Sequence, residues 1–116
     1  MNTLRLTAST RASQPCRLAL HRGQDATLDF QLSPPDDCSG WAVTMKVATM
    51  LGGSVEVTKA ATVTDGPRGR LRVTLASADT SSLAVGRHVW DVRRTDGGHK
   101  TTLADGVLDL LQEVTT

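Results

Sequence analysis

Three histidines, two cysteines and a cluster of aspartates are the side chains of this 116-residue chain that could carry chemistry. A hydrolytic triad needs a nucleophile on a sharp turn beside an imidazole and a carboxylate. No G-x-S-x-G occurs, and His21, His88 and His99 stand at a strand end, in mid-strand and beside a turn. Nothing in their spacing gathers them, and His88 reads as a packed or rim residue rather than a base. Asp91, Asp96, Asp105 and Asp109 crowd the last third of the chain, and oxygen-rich sandwich loops can bind calcium. The D-x-D-x-D-G loop is missing, however, and a turn explains Asp96-Gly97 as a kink explains Asp105-Gly106. Cys16 and Cys38 lack the further soft ligands that a metal requires. Trp41 follows both cysteines instead of lying between them, which breaks the immunoglobulin pattern and leaves their pairing open. The residues therefore predict no catalytic site, no metal site and no cofactor.

Binding chemistry is nearly as sparse. Gly52-Gly53 and Gly97-Gly98 precede strands rather than helices, so they read as turns and not as phosphate cradles. Arg68, Arg70, Arg72, Arg87, Arg93 and Arg94 concentrate in the second half. If strands 70–75 and 87–94 pair, their outward members form a basic stripe. A nucleic-acid groove adds exposed stacking aromatics to such a stripe. This chain has no Tyr, one Phe and two Trp, and both Trp sit at inward-facing parity. A net charge of +1 provides no field to attract nucleic acid or anionic lipid. A solvated face or a protein-contact face is the reading that remains for Arg70, Arg72, Arg87 and Arg93. No apolar run of about 18 residues exists to span a membrane. The N-terminus has no continuous apolar stretch of the kind that marks a secretory signal, which predicts a chain made in the cytosol and used as made.

The elements that must position these residues are short alternating strands separated by turns. Leu4 and Leu6 alternate with Arg5 and Thr7, and residues 8 to 15 read as a flexible connection. Cys16, Leu18 and Leu20 form one inward set; Ala26, Leu28, Phe30 and Leu32 form the next. Residues 33 to 40 must be loop, because neither Pro34 nor Pro35 can donate to a ladder. Trp41, Val43, Met45 and Val47 point inward, and residues 51 to 53 end that strand. Val55 and Val57 open a long strand toward Val63, with a bulge or exposed stretch near Lys59. After a turn over residues 65 to 69, Leu71, Val73 and Leu75 face in. Ser77 is placed to cap one helical turn, Leu83 to pin it and Gly86 to end it. His88, Trp90 and Val92 then share a face, and an Asp96-Gly97 turn leads into a last strand kinked by a bulge at Gly106.

This pattern predicts an all-β fold: a single antiparallel Ig-like β-sandwich of about 7–8 strands with one short helical turn near 77–83. One domain covers 1–116, with an N-terminal strand or arm and flexible connection over 1–15 and a core over 16–112.

Gly69 to Leu111 also carries a resemblance. Gly69, Leu75, Asp79, Thr80, Leu83, Gly86, the run Val89-Trp90-Asp91-Val92, Asp96-Gly97 and Gly106-Val107 follow one another in a familiar order. It is that of the small sandwich domain of tailed-phage baseplate and neck proteins, in particular the N-terminal domain of baseplate upper proteins. The stretches "GWAVTMKVA" and "KAATVTD" look like the central strands of that family. The resemblance implies a non-enzymatic structural or adaptor protein of a tailed-phage particle, in its tail, baseplate, neck or capsid surface. Its partners would be other virion proteins, with copies of itself in a ring or other symmetric assembly, and its location the virion, reached from the host cytoplasm. No nucleic acid and no membrane are implied. Baseplate upper proteins continue into coiled-coil or linker regions, whereas this chain stops at Thr116, so a stand-alone adaptor, completion or decoration subunit is expected. The contact residues expected are Leu4 and Leu6 of the arm together with Arg70, Arg72, Arg87 and Arg93. Deleting residues 1–14 is expected to leave the sandwich folded and abolish incorporation. The alternative reading is an Ig-like surface or ligand-binding module for carbohydrate or adhesion.

Overall fold

In the computed structural model, which describes residues 2–9, 14–33, 37–49, 55–98 and 100–112, the alternating segments become nine strands. They are β1 (Asn2–Ala8), β2 (Gln14–His21), β3 (Ala26–Leu32), β4 (Val43–Ala48), β5 (Val55–Ala60), β6 (Thr62–Asp65), β7 (Arg70–Leu75), β8 (Gly86–Arg94) and β9 (Thr101–Leu111), with one helical turn, α1 (Ser77–Ser81). Two sheets result, ordered β1-β3-β7-β6 and β2-β9-β8-β4-β5. Their inner faces share one core, in which Leu28, Leu32, Met45, Val73, Val92 and Leu108 are wholly buried. Phe30 of the first sheet meets Trp90 of the second, ring centroids 6.1 Å apart and tilted by 51°. The all-β sandwich expected from the alternation is the fold observed. The interior of residues 8–15, Pro34 and Pro35, residues 51–53 and His99 lie outside the described residues.

Four details depart from the expectation. Two pairings are parallel, β1 with β3 and β2 with β9, whereas an antiparallel sandwich was expected. The chain leaves the first sheet after β1, runs back through β2 in the second, and returns as β3; two reversals restore the original direction. Second, the segment expected as one strand from Val55 to Val63 divides at Ala61, whose N–H donates to the Val43 carbonyl at 2.8 Å. β5 stays beside β4 while β6 joins β7 in the other sheet. Lys59 stands opposite Met45 and reaches Asp79 of α1 at 3.0 Å, so its inward parity is resolved by an ion pair at the sandwich end.

Third, the bulge in β9 sits at Leu103 rather than at Gly106. Val92 pairs with Ala104 and Arg93 with Thr102, which leaves Leu103 as the extra residue and buries it and Ala104 together. Gly106 keeps its register opposite Trp90. Fourth, Ser77 is not the helix cap. Ala76 holds that place, and the Asp79 carboxylate accepts its backbone N–H at 2.8 Å. α1 is fastened to the β2–β3 connection at its C-terminal end. Thr80 Oγ1 donates to the Gln24 carbonyl at 2.8 Å, and Arg22 donates to the Ser81 and Leu83 carbonyls at 2.7 and 2.8 Å. The Ser81 carbonyl is one of the orphans that a helix end leaves, and the buried Leu83 pins the turn as expected.

Candidate contact surface

The side chains singled out by sequence fall on three different surfaces. Leu4 and Leu6, on edge strand β1, are half-buried and pack against the core of their own domain. Of the strand or arm expected here, the structure shows a strand of the first sheet, and Ser33 N–H donates to the Ala8 carbonyl at 2.8 Å to hold its end. Arg70 and Arg72 lie on β7 of the four-stranded sheet, Arg87 and Arg93 on β8 of the five-stranded sheet. The basic stripe conditional on pairing of these strands therefore does not form. Between β7 and β8 the chain passes through α1 and changes sheets, so the two pairs of arginines face opposite outer surfaces.

The outer face of the four-stranded sheet is paired internally along β3 and β7. Arg5, Asp29 and Arg72 stand in one row across β1, β3 and β7. Arg72 grips both oxygens of Asp29 at 2.7 and 3.4 Å. In the next row Arg70 donates to Gln31 Oε1 at 2.9 Å. These rows border an open depression of about 500 Å³, whose floor alternates cation, anion and amide.

The outer face of the five-stranded sheet differs. Val55, Ala48, Val89 and Val107 are register partners in succession across β5, β4, β8 and β9; they lie on the outer face, where Ala48, Val89 and Val107 are half-buried. Val55 is 50% exposed. On one side of this apolar row Asp109 accepts from Arg87 Nε at 3.1 Å and from Arg17 Nη2 at 2.8 Å. Arg87, then Arg17, hold the Asp109 carboxyl below its ordinary pKa. On the other side Asp91 and Asp105 stand directly opposite each other, and neither has a hydrogen bond or ion pair among the described residues. Like charges in that position repel. Sequence reading marked Val89 and the aspartates singly. It missed the row because Val55 and Val107 are neighbours only through two intervening strands, and Arg17 meets Asp109 across 92 positions.

The residues considered for chemistry are accounted for by structure. His88 is buried, and its Nε2–H donates to the Ala84 carbonyl at 2.7 Å; a carbonyl only accepts, which assigns the proton. Its Nδ1 faces Glu56 Oε1 at 3.4 Å without a hydrogen bond. Cys16 and Cys38 are free, and burial pushes both thiols up from the ordinary value, away from the reactive thiolate. No group of three or more His, Cys, Asp or Glu able to hold a metal occurs among the described residues. No helix among them is long and apolar enough to cross a membrane. Trp90 is buried with its Nε1–H on the Val107 carbonyl at 3.3 Å, and Arg94 lies over the Trp41 ring, 4.2 Å from its centroid. Neither indole is an open platform for a sugar.

Asp96 links Trp41 to the turn before β9. Arg94 donates to both its oxygens at 2.9 and 3.0 Å, and Ala42 N–H reaches it at 3.1 Å. The Arg94 hydrogen bond is the main cause that lowers the Asp96 pKa from 3.8 to about 2; partial burial opposes it and Ala42 adds to it. A carboxyl with a depressed folded-state pKa contributes stability above its unfolded value and loses it as pH falls through the folded one. Asp96→Asn should therefore melt below wild type at pH 6. The gap should close between about pH 4 and pH 2, as read by thermal melts across that range. A gap constant down to pH 2 contradicts the assignment.

No protein-family model matches the chain, and no curated protein matches its sequence. Among solved structures the chain is similar to the N-terminal domain of phage TP901-1 ORF48. Identity is 15%, the alignment covers 96% of this chain and 99% of that one, and the TM-score is 0.70. The chain shares its fold with that phage-protein domain, end to end. CopC from Methylosinus trichosporium OB3b aligns at 14% identity over 91% of each chain with a TM-score of 0.45. The extracellular domain of the voltage-gated sodium channel β4 subunit aligns at 11% identity over 89% and 96%, with a TM-score of 0.44. Both lie too far for a fold argument.

Proposed function

We propose that this chain is a non-enzymatic structural or adaptor component of a tailed-phage particle. It is made in the host cytoplasm and incorporated into the virion through protein–protein contacts. The observation that carries this reading is the fold shared over 96% of the chain with the N-terminal domain of phage TP901-1 ORF48. It joins a sequence order of turns and strands that resembles baseplate upper proteins. The outer faces support it in kind: one is a polar lattice and the other an apolar row between charged flanks, which is the anatomy of a protein interface. Its partners are other tail, baseplate, neck or capsid-surface subunits, and its own copies in a symmetric assembly.

Mass spectrometry of purified particles, from cells producing this chain, tests the proposal. Its peptides should appear at a fixed ratio to the major tail subunits through successive purification steps. Particles that lack it while the cell extract contains it refute the reading.

A further inference from the structure

We infer that a depression on the outer face of the five-stranded sheet, bordered by Lys46, Arg93 and Lys100, seats an acidic segment of a neighbouring virion protein. The inference rests on the proposed function and deepens it, giving the chemistry of one partner and the place where it docks.

Among the described residues, every lysine and arginine holds a carboxylate, an amide or a carbonyl except Arg5, Lys46, Arg93 and Lys100. Arg5 lies on the other sheet. The remaining three are exposed and border one open depression of about 290 Å³, together with Asp91 and the hydroxyl-bearing Thr44 and Thr95. Three cations and one carboxylate leave this lining a surplus of two positive charges.

Strand register brings them together. Arg93 stands opposite Thr44, and Asp91 opposite Lys46. Lys46 and Arg93 are therefore diagonal neighbours on one face, about 7 Å apart. Lys100 comes two residues before Thr102, which flanks Arg93 from β9. Cations thus approach from β4, from β8 and from the start of β9, and their like charges repel. A carboxylate placed among them turns that repulsion into charge-assisted hydrogen bonds.

The surroundings select a protein as the source of that carboxylate. Asp91 and, beside it, Asp105 meet the continuous charge of a phosphate backbone with like charge, and no aromatic residue lines the depression to stack a base. Discrete acidic side chains avoid the two aspartates. Backbone N–H groups of the same segment supply Asp91 with the donor that it lacks among the described residues. The apolar row also runs alongside: Lys46 is two residues from Ala48, and Asp91 two from Val89. A subunit seated on the cations covers that row as well, so the charges orient it and the row adds buried area. Exposed ion pairs are individually weak. An isolated acidic peptide accordingly binds in about the millimolar range, and the assembled particle raises occupancy through effective concentration.

Titration of the isotopically labelled full chain with hexaglutamate, followed through amide chemical shifts, should move residues 44–46, 91–95 and 100. The affinity should fall several-fold as salt rises to about 0.15 M. Lys46→Glu/Arg93→Glu/Lys100→Glu should bind at least about 10-fold more weakly than wild type. Arg5→Glu/Arg68→Glu/Arg70→Glu changes the net charge equally at the other sheet and should lose about 3-fold or less. Circular dichroism confirms that both variants fold, and the shift map of wild type tests the site without substitution. An unmoved depression, an equal loss in the two variants, or tighter binding of hexathymidylate at the same residues overturns the inference. In particles, the Lys46/Arg93/Lys100 variant should be depleted at least about 10-fold relative to wild type. Its incorporation at the wild-type ratio removes this docking site and leaves the proposed function standing. Absence of wild type itself from particles refutes the proposed function, and the hexaglutamate titration then still decides the site.

Discussion

Gly106→Ala is expected to lower the melting temperature by roughly 15 °C, the loss of about 4 kcal/mol in a domain of this size. Two effects add at this position. Gly106 holds φ +155°, a conformation that side chains of L-residues rarely adopt. A Cβ built there would also overlap the backbone carbonyl of Cys16 on β2, and a backbone atom cannot swing aside as a flexible side chain can. Among the described residues edge strand β2 has β9 as its one neighbour in the sheet, so relief of the clash means pushing β2 off the sheet. Amide exchange should accordingly accelerate along residues 16–21 before it does in β3 or β7. Gly98→Ala is the matched control: its φ is +79° but nothing lies within 4 Å of the added atom, so only the conformational cost of about 1 kcal/mol applies. A Gly106→Ala protein that melts with the Gly98→Ala control removes the steric argument.

Trp90→Ala should cost about 3–5 kcal/mol, the range for removing a large aromatic from a packed core, while leaving the pairing of β8 with β4 and β9 intact. Trp90 is 3% exposed and touches Phe30 across the interior, so its loss separates the two sheets and leaves each in place. Its indole also reaches past Gly106, directly opposite, to donate to the Val107 carbonyl. Trp90→Phe should recover most of the packing and lose only the hydrogen bond, about 1 kcal/mol. Chemical denaturation of both variants checks the ordering, and a Phe30→Leu cycle should show coupling of about 0.5–1.5 kcal/mol with Trp90. Equal stability of the Ala and Phe variants would mean that the ring does not join the sheets.

Much of this was legible in residue order. Alternation at Phe30, Val73 and Val92 assigned the inward faces without ambiguity, because a strand has a side-chain period of two and a core admits only one parity. The turn at 65–69 and the pinning role of Leu83 followed from residue types alone. The candidate contact residues fared differently. Arg70 and Arg87 looked like parts of one stripe because they are near in sequence, yet they lie on opposite faces. Val55 and Val107, 52 positions apart, stand in one row.

The amino-acid sequence by itself determined the class of fold and the side of each strand that is buried, since both follow from local sterics and the period of apolar residues. Tertiary structure alone decided which strands are neighbours, in which direction they run and where the chain changes sheets. Those choices rest on contacts between residues far apart in the chain, such as Ala61 with Val43 or Gly106 with Cys16, whose energy does not depend on any local pattern. The surface row and its flanking charges are products of that same non-local pairing, and so they exist only once the sheet has formed.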